Sequence, residues 1–238
     1  MKYKFFLVAL FFVKGFSSDA QLVPRGTELQ ELVKIMQVYE NTPGLSFDMH
    51  VLYRNGETHL DTMDAACKLS YGKTLLCNSD YEFLKGNQYS VYVDKEDSIV
   101  FAMPRKGDET ILRIPLLDST FRAAHVDSMK VTPDTDNEGD DSLWVFRVSF
   151  KSESIYSFYN IYYDPHTCLI KYIFCHLKNV NGEYDLPTDS IIDVFVKMTN
   201  YSDAEIDPAL LNEYRYFYRL NGSLFLQPAW QNYELETL

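Results

Sequence analysis

From Leu45 onward, apolar and polar residues alternate at a period of two, which is the spacing of a half-buried β-strand. The first run stops at the turn-forming pair Asn55-Gly56 and places on one face Phe47, Met49, Val51 and Tyr53. Further runs of this kind lie near residues 59–70, 73–84, 87–94, 98–103, 109–115, 126–132, 142–151, 155–164, 168–178 and 189–199. The sequence therefore predicts a sheet of about eleven strands.

Short segments rich in turn-forming residues connect these runs, as at 85–87, 94–97 and 164–167. Connections this short join neighbouring strands antiparallel. Tyr and Phe are abundant, at 18 and 16 residues, whereas Gly is scarce at 10, and this bias favours pleated strands over helical bundles. Because no repeat and no shift of composition divides the chain, one sheet in one domain is the economical interpretation.

One amphipathic helix precedes the strands. Thr27 begins a capping box that Gln30 completes, and Pro43 ends the helical pattern. Apolar residues recur at helical spacing at Leu29, Leu32, Val33, Met36 and Tyr39. Two shorter helices are predicted, one near 115–125 and one that begins at Asp207-Pro208, and the tail after Arg219 is predicted to add an edge strand.

Residues 1–20 have the organisation of a secretory signal, with two lysines, an apolar run and a small residue, Ala20, at the cleavage site. The apolar run Phe5 to Val13 is too short to span a bilayer, and no later run reaches the roughly 18 residues that a transmembrane helix needs. Gln21, rather than Cys, follows the cleavage site, so no lipid anchor is expected. The mature protein is expected to be exported to the periplasm.

The chain is acidic, with a formal net charge of −12 and a pI near 4.8. This charge repels the phosphate backbone, so nucleic acid is not an expected partner. The hydrophobic fraction of 46% supplies enough apolar surface for a sizeable core, which excludes a disordered chain.

Four cysteines in an exported chain permit up to two disulfides. A hairpin with a three-residue loop at 71–73 would place Cys67 opposite Cys77, and a disulfide between these two is predicted. Cys168 and Cys175 lie seven residues apart in one run, so they would point to opposite faces about 23 Å apart and cannot bond each other. Both are interpreted as small buried hydrophobic residues.

No catalytic motif is present in the sequence. The nucleophile elbow, the zinc-protease helix motif, the Gly-rich phosphate loop and paired Cys metal motifs are all missing. Cys175 and His176 are adjacent on a predicted strand and would point to opposite faces, so they could not act as a thiol–imidazole pair. We therefore expect a protein that is not an enzyme and that has no cofactor and no metal.

One acidic cluster resembles the first half of a calcium loop. It comprises Asp134, Asp136, Glu138, Asp140 and Asp141 around Gly139. The twelfth position is Val145 rather than a bidentate Glu, and the flanking residues have the strand pattern. A solvated hairpin loop at 134–141 is the interpretation that we prefer.

The export signal, the N-terminal helix and the strand series broken by a short helix together resemble the bacterial outer-membrane lipoprotein carrier (LolA/LolB-like) superfamily. The resemblance covers residues 27 to about 200 and includes the strand–turn segments at 84–94 and 160–170. It implies an α+β fold with a strongly curved antiparallel sheet of about eleven strands, a half-barrel. The N-terminal helix and one or two short helices would lie on its concave side. Residues 21–238 would form this single half-barrel domain with a C-terminal extension. No binding residue of the family is carried over to this chain.

A curled sheet of this kind can hold a ligand on its concave face. The predicted groove is lined by Phe47, Met49, Val51, Tyr89, Val91, Val93, Phe146, Val148 and Phe150. The N-terminal helix is predicted to cover the groove as a lid through Leu32, Met36 and Tyr39. The same alternation also fits a dry, filled core, because it identifies a buried face without showing whether that face is full.

Two functions therefore stay open. The first is an exported, non-catalytic envelope protein that binds a lipid or the acyl chain of a lipoprotein in the groove. The alternative is a fully packed scaffold or stress-sensor module that acts through contacts with another envelope protein.

Overall fold

The computed structural model describes residues 27–105, 116, 119–134, 143–179 and 186–237. Three of the sequence predictions lie outside these residues: the signal at 1–20, the strand near 109–115 and the acidic loop beyond Asp134.

Two α-helices are present in the described residues, α1 (Thr27–Asn41) and α2 (Ser119–His125). Both confirm predictions from the sequence. The helix predicted to begin at Asp207-Pro208 is instead a pair of short 3₁₀ turns, Pro208–Leu211 and Glu213–Arg215. The side chain of Asp207 caps the first turn by accepting a hydrogen bond from the backbone N–H of Ala209. A third 3₁₀ turn spans Pro228–Trp230.

The strands of the described residues are β1 (Leu45–Asn55), β2 (Thr58–Ser70), β3 (Lys73–Cys77), β4 (Tyr81–Lys85), β5 (Tyr89–Asp94), β6 (Ile99–Pro104), β7 (Val126–Pro133), β8 (Trp144–Phe150), β9 (Tyr156–Tyr163), β10 (Ile170–Lys178), β11 (Ile191–Ser202), β12 (Phe217–Leu220), β13 (Ser223–Leu226) and β14 (Glu234–Thr237). Twelve of them form one open sheet in the order β14-β6-β5-β4-β3-β2-β1-β11-β10-β9-β8-β7. The sheet is mostly antiparallel, but β14 pairs parallel with β6. β12 and β13 form a separate hairpin.

The predicted α+β class is confirmed, but the sheet has twelve strands where about eleven were predicted. One reason is that the run at 73–84 is two strands rather than one. The side-chain oxygen of Asn78 accepts hydrogen bonds from the backbone N–H groups of Asp80 and Tyr81, at 2.9 and 2.7 Å. This Asx turn reverses the chain between β3 and β4. A second reason is that the tail adds β14 as an edge strand, as predicted. The run near 109–115, which is one of the eleven predicted strands, lies outside the described residues, so the described sheet has twelve.

The described chain divides into two compact units that interleave along the sequence. The first unit takes in residues 27–38, 49–64 and 116–199, and the second takes in 39–48, 65–105 and 200–237. That residues 21–238 behave as one domain stays a prediction.

The first unit buries the apolar side of α1. The buried side chains of this helix segment are Leu29, Leu32, Ile35 and Met36. Val33, which was predicted to belong to the apolar face, is only half-buried, whereas Ile35 is buried. The hydroxyl of Tyr163 on β9 donates a hydrogen bond of 3.2 Å to the carboxylate of Glu31 on the same helix. The strands contribute a larger buried set, which includes Met49, Val51, Tyr53, Phe146, Val148, Tyr159, Ile161, Cys175, Leu177, Ile192, Val194, Val196 and Met198.

The second unit has a core between its strands and its tail. Buried residues of β3–β6 pack there against residues 206–235, which we call the C-terminal segment. The strand side contributes Leu75, Leu84, Val91, Val93, Val100 and Ala102, and the C-terminal segment contributes Ile206, Leu211, Tyr216 and Phe217. One face of these strands is therefore filled by the chain itself.

Candidate functional site

The strand register of the second unit defines a row of side chains on the other face of β2–β6. Directly opposite one another on successive strands lie Cys67, Leu76, Phe83, Tyr92 and Phe101. Cys67 and Leu76 are buried, whereas the three aromatic residues are only half-buried. We call Phe83, Tyr92 and Phe101 the aromatic row.

Two rings of this row, those of Tyr92 and Phe101, lie close together. The ring centroids of Tyr92 and Phe101 are 5.9 Å apart and nearly parallel, and Tyr81 approaches Tyr92 at 6.1 Å. The neighbouring cross-strand pair, Ser90 and Met103, is also half-buried. Burial raises the pKa of the Tyr92 hydroxyl, and the nearby Asp94 carboxylate, which accepts its hydrogen bond, raises it further. The Tyr92 hydroxyl is therefore neutral, and an acidic side chain lies beside this otherwise apolar surface.

Three predicted groove residues lie on the opposite face of β5. Adjacent strand residues point to opposite sides, so Val91 and Val93 face away from Tyr92. Both valines are completely buried against the C-terminal segment, and Tyr89 packs edge-on against Phe217 at 5.2 Å. The structure thus places Tyr89, Val91 and Val93 in a filled core, separate from the aromatic row.

The C-terminal segment is attached to this core by two carboxylates, one buried and one half-buried. Glu213, from the segment, is 1% exposed and accepts hydrogen bonds from the backbone N–H groups of Asn87 and Gln88. Glu82, from β4, accepts a hydrogen bond of 2.8 Å from the hydroxyl of Tyr216 and lies 3.5 Å from the guanidinium of Arg215. Because buried carboxylates are stable only when they are hydrogen-bonded or paired, these contacts fix the position of the segment.

Of the other predicted groove residues, Phe47 lies in the second unit. Its ring contacts Tyr39 edge-on at 6.0 Å and Tyr201 at 5.2 Å. The hydroxyls of Tyr39 and Tyr201 are hydrogen-bonded at 3.0 Å, and burial raises the pKa of Tyr201 far above its ordinary value. Tyr39, a predicted lid residue, is therefore part of a packed aromatic cluster.

The remaining predicted groove residues lie in the first unit. Met49, Val51, Phe146 and Val148 are buried, whereas Phe150 is half-buried beside Tyr156. Phe146 is opposite Ile161, which shares a strand face with Tyr163, the residue that bonds to α1. Phe146 and Val148 therefore lie on the face of the sheet toward α1, where the predicted lid residues Leu32 and Met36 are also buried.

The structure corrects the predicted Cys67–Cys77 disulfide, because the register predicted between β2 and β3 is wrong by one residue. Cys67 lies opposite Leu76, and Cys77 lies opposite Ala66. All four cysteines are free thiols in the structure. The turn between β2 and β3 has two residues rather than three, and a slip of one residue moves a side chain to the other face. Cys175 is buried as expected, whereas Cys168 is half-buried.

Within the described ranges, no group of three or more His, Cys, Asp or Glu side chains could hold a metal ion. His50 is exposed on the face of β1 opposite the apolar set, and its Nδ1 lies 2.6 Å from Oδ1 of Asp64. Asp134, the first residue of the predicted acidic loop, is buried and accepts a hydrogen bond from the hydroxyl of Tyr172.

No helix within the described ranges is long and apolar enough to cross a membrane.

Sequence reasoning missed the aromatic row. The signal was present, because β6 reads Ile99-Val100-Phe101-Ala102-Met103, a continuous apolar run rather than an alternating one. Such a run is typical of a strand covered on both faces. Alternation alone could not decide which face of β4–β6 was filled by the chain and which was left half-buried.

Comparison with known proteins adds a fold resemblance. No family model matches the chain, and no curated protein does. Among similar solved structures are a DUF1329 family protein from Desulfovibrio piger (11% identity, 77% of this chain and 95% of that chain, TM-score 0.36), an uncharacterized conserved protein from Thermus thermophilus (8%, 88% and 98%, 0.47) and a LolA superfamily protein from Nitrosomonas europaea (8%, 79% and 98%, 0.37). One of these similar structures is from the LolA superfamily that the sequence was predicted to resemble, and at these identities and TM-scores the similarity carries no argument about function.

Proposed function

We propose that this chain is an exported, non-catalytic cell-envelope protein that binds a hydrophobic ligand, the hydrocarbon chain of a lipid or a lipoprotein, along the aromatic row. The observation that carries the proposal is the contrast between the two faces of β4–β6. One face is sealed by the C-terminal segment, whereas Phe83, Tyr92 and Phe101 on the other face are half-buried. Leaving large apolar side chains partly in water costs free energy that a bound hydrocarbon chain would recover.

The shape and chemistry of the row suit a hydrocarbon chain. Three adjacent strands span about 10 Å, so the row offers an extended apolar track rather than a compact pocket. Met103, on the next row, adds a flexible apolar side chain that adapts to an irregular ligand. An anionic headgroup would stay away from the end of the track near Asp94, since the Asp94 carboxylate beside the Tyr92 hydroxyl would repel it.

The predicted lid concerns a second apolar face, which lies in the first unit, and it is a separate part of the proposal. Phe146 and Val148 lie on the face toward α1, and Met36 of α1 is 3% exposed. The predicted groove residues of this unit are Phe146, Val148, Met49, Val51 and Phe150. A ligand could contact them only after α1 had moved outward. In the second unit, Phe47 would need the same displacement of Tyr39.

A second candidate function is the packed scaffold that acts through protein–protein contacts. It is favoured by the C-terminal segment, which fills the face that carries Val91 and Val93. In this alternative the apolar core holds no ligand, and partner proteins bind to the solvent-exposed surface.

Ligand binding decides between the two. Protein purified from its own host would be weighed by native mass spectrometry, and the lipid-free protein would be titrated with a fluorescent fatty acid. We expect a lipid adduct, and we expect Phe101→Ser with Tyr92→Ser to weaken probe binding at least tenfold. Tyr71→Ser, which changes an exposed aromatic residue at the β2–β3 turn, is the matched control. Absence of both the adduct and probe binding would favour the scaffold.

A further inference from the structure

Two polar side chains lie beside the aromatic row, on the same face of the second unit. Thr74 on β3 is directly opposite Lys85 on β4, and the next pair on this face is Leu76 and Phe83. The two pairs are two residues apart along each strand, which separates them by about 7 Å. We call Thr74 and Lys85 the polar pair. It adjoins the aromatic row at Phe83.

The polar pair is buried, with 4% exposure for Thr74 and 5% for Lys85. Within the described residues, the hydroxyl of Thr74 has no hydrogen-bond partner. Such a hydroxyl has lost its hydrogen bonds to water without a replacement, and buried groups of this kind are rare in native proteins. Because directly opposite side chains have Cβ atoms about 5 Å apart, one small ligand group can contact both the hydroxyl and the ammonium group.

The charges around Lys85 favour an anion. Glu40, at the C-terminal end of α1, is half-buried. Burial raises the pKa of its carboxyl, and the attraction of the Lys85 charge opposes part of this rise. A further cation is close in the chain, since Arg105 donates a hydrogen bond to the backbone carbonyl of Gly86. The buried carboxylate of Glu213 approaches Gly86 from the opposite face of β4.

The group that fits the polar pair is small and anionic. One oxygen of a carboxylate can accept a hydrogen bond from the Thr74 hydroxyl while the other pairs with the Lys85 ammonium group. A hydrocarbon chain attached to this carboxylate would extend along the adjoining aromatic row. A phospholipid headgroup is too large for a pair of side chains buried this deeply, and an esterified acyl chain carries no charge for Lys85 to bind.

We propose that the polar pair binds the carboxylate of a free fatty acid whose hydrocarbon chain lies on the aromatic row. This inference rests on the proposed function, and it narrows the ligand from a lipid or a lipoprotein to a long-chain carboxylic acid. Glu40 competes with the ligand for Lys85. Binding therefore exchanges one carboxylate for another and is coupled to an outward movement of the end of α1.

Competition against the fluorescent fatty acid tests the inference. Hexadecanoate and its methyl ester would displace the probe from lipid-free protein, and the dissociation constant of each competitor would be corrected for the probe affinity of each variant. We expect hexadecanoate to bind at least tenfold more tightly than the ester. Lys85→Met should remove this preference by weakening hexadecanoate alone. Lys68→Met, the same change on the opposite face of β2, is the matched control.

Two further variants separate binding from a structural role. Glu40→Gln removes the competing carboxylate, so it should strengthen hexadecanoate binding several-fold and leave ester binding unchanged. Thr74→Val replaces the unpartnered hydroxyl with a methyl group, so it should weaken hexadecanoate binding several-fold and raise the Tm of the lipid-free protein. Circular dichroism would show that each variant is folded.

The outcomes distinguish this inference from the proposed function. Equal binding of acid and ester to the wild-type protein, with Phe101→Ser and Tyr92→Ser still weakening both, would overturn the carboxylate site and leave the proposed function standing. Failure of the wild-type protein to bind the probe or either competitor would overturn both. Tighter binding of hexadecyl phosphate than of hexadecanoate would overturn the assignment of a carboxylate. In native mass spectrometry, the expected adduct has the mass of a free fatty acid.

Discussion

The carboxylate of Glu213 accepts a hydrogen bond of 2.8 Å from the backbone N–H of Gln88, and it also accepts the N–H of Asn87 at 3.1 Å from each oxygen. A side chain of the C-terminal segment thereby satisfies two donors in the turn between β4 and β5. Since Glu213 is 1% exposed, water cannot replace it. This relationship fixes the segment over the face that carries Val91 and Val93.

The first prediction follows from these hydrogen bonds. Glu213→Ala removes the acceptor and leaves two backbone donors without it, so it should lower the free energy of unfolding by about 3 kcal/mol. Urea unfolding measures this loss, and hydrogen exchange should show faster exchange at the Asn87 and Gln88 amides. Glu236→Ala, at an exposed position of β14, should change stability by less than about 0.5 kcal/mol. Equal effects of the two substitutions would mean that Glu213 does not hold the segment.

The second prediction concerns Gly86, which leaves room for the same carboxylate. A Cβ at position 86 would lie 2.2 Å from Oε2 of Glu213. Gly86→Ala should therefore destabilise the wild-type protein by about 2 kcal/mol. In the Glu213→Ala background the carboxyl atoms are gone, and only the Cβ of residue 213 stays close, at 3.0 Å. The added cost of Gly86→Ala should then fall below about 1 kcal/mol, and a double-mutant cycle measures this coupling. Additive effects would contradict the predicted clash.

The sequence was sufficient to predict most strands and both helices, because period-two and helical spacing are local signals. It was not sufficient for the pairing of Cys67 with Leu76. Tyr71 and Gly72 both have positive φ, at 45° and 73°, as a two-residue type I′ turn requires. Tyr rarely adopts positive φ, so Tyr71 gives no sequence signal for such a turn. The prediction used a three-residue loop at 71–73, which shifts the β2–β3 register by one residue.

The candidate site was partly predictable. Apolar alternation identified Phe47, Met49 and Val51 as buried, and they are. It also placed Val91 and Val93 together on a buried face of β5, but it could not show that the chain itself fills this face. The face that Val91 occupies is decided by the C-terminal segment, which packs on β5 from more than 100 residues away in the sequence. Contacts at that separation have no local signature.

The third prediction is a pH dependence of thiol chemistry. Burial raises the pKa of Cys67 from 9.0 to about 12, and it raises that of Cys77 by less. Only the thiolate reacts, so iodoacetamide at pH 8 should modify Cys77 before Cys67. All four thiols should be alkylated after unfolding without a reductant. A Cys67–Cys77 disulfide, detected by mass spectrometry under non-reducing conditions, would instead support the register predicted from the sequence.

The same pKa shift predicts how stability changes with pH. The folded-state pKa of Cys67 is above its unfolded value, so its contribution to stability is fully present below pH 9. It is lost progressively as pH rises from 9 toward 12, because the unfolded chain then ionises and the folded one does not. Cys67→Ala should flatten the alkaline part of the stability curve, whereas Cys168→Ala, at a less buried thiol, should change it less.

The last prediction tests α1 as a lid. Met36 is 3% exposed, and the neighbouring Gln37 is exposed, so Met36→Asp and Gln37→Asp place the same charge on the two sides of one helix. An unpaired carboxylate in a packed core costs several kcal/mol, so in a scaffold only Met36→Asp should lower the Tm strongly. In a lipid-binding protein, α1 can swing toward solvent, so Met36→Asp should mainly reduce retention of the fluorescent fatty acid with a smaller loss of Tm. Thermal melts with and without the probe distinguish these outcomes. Unchanged Tm and unchanged probe retention together would show that α1 neither packs on the sheet nor covers a ligand.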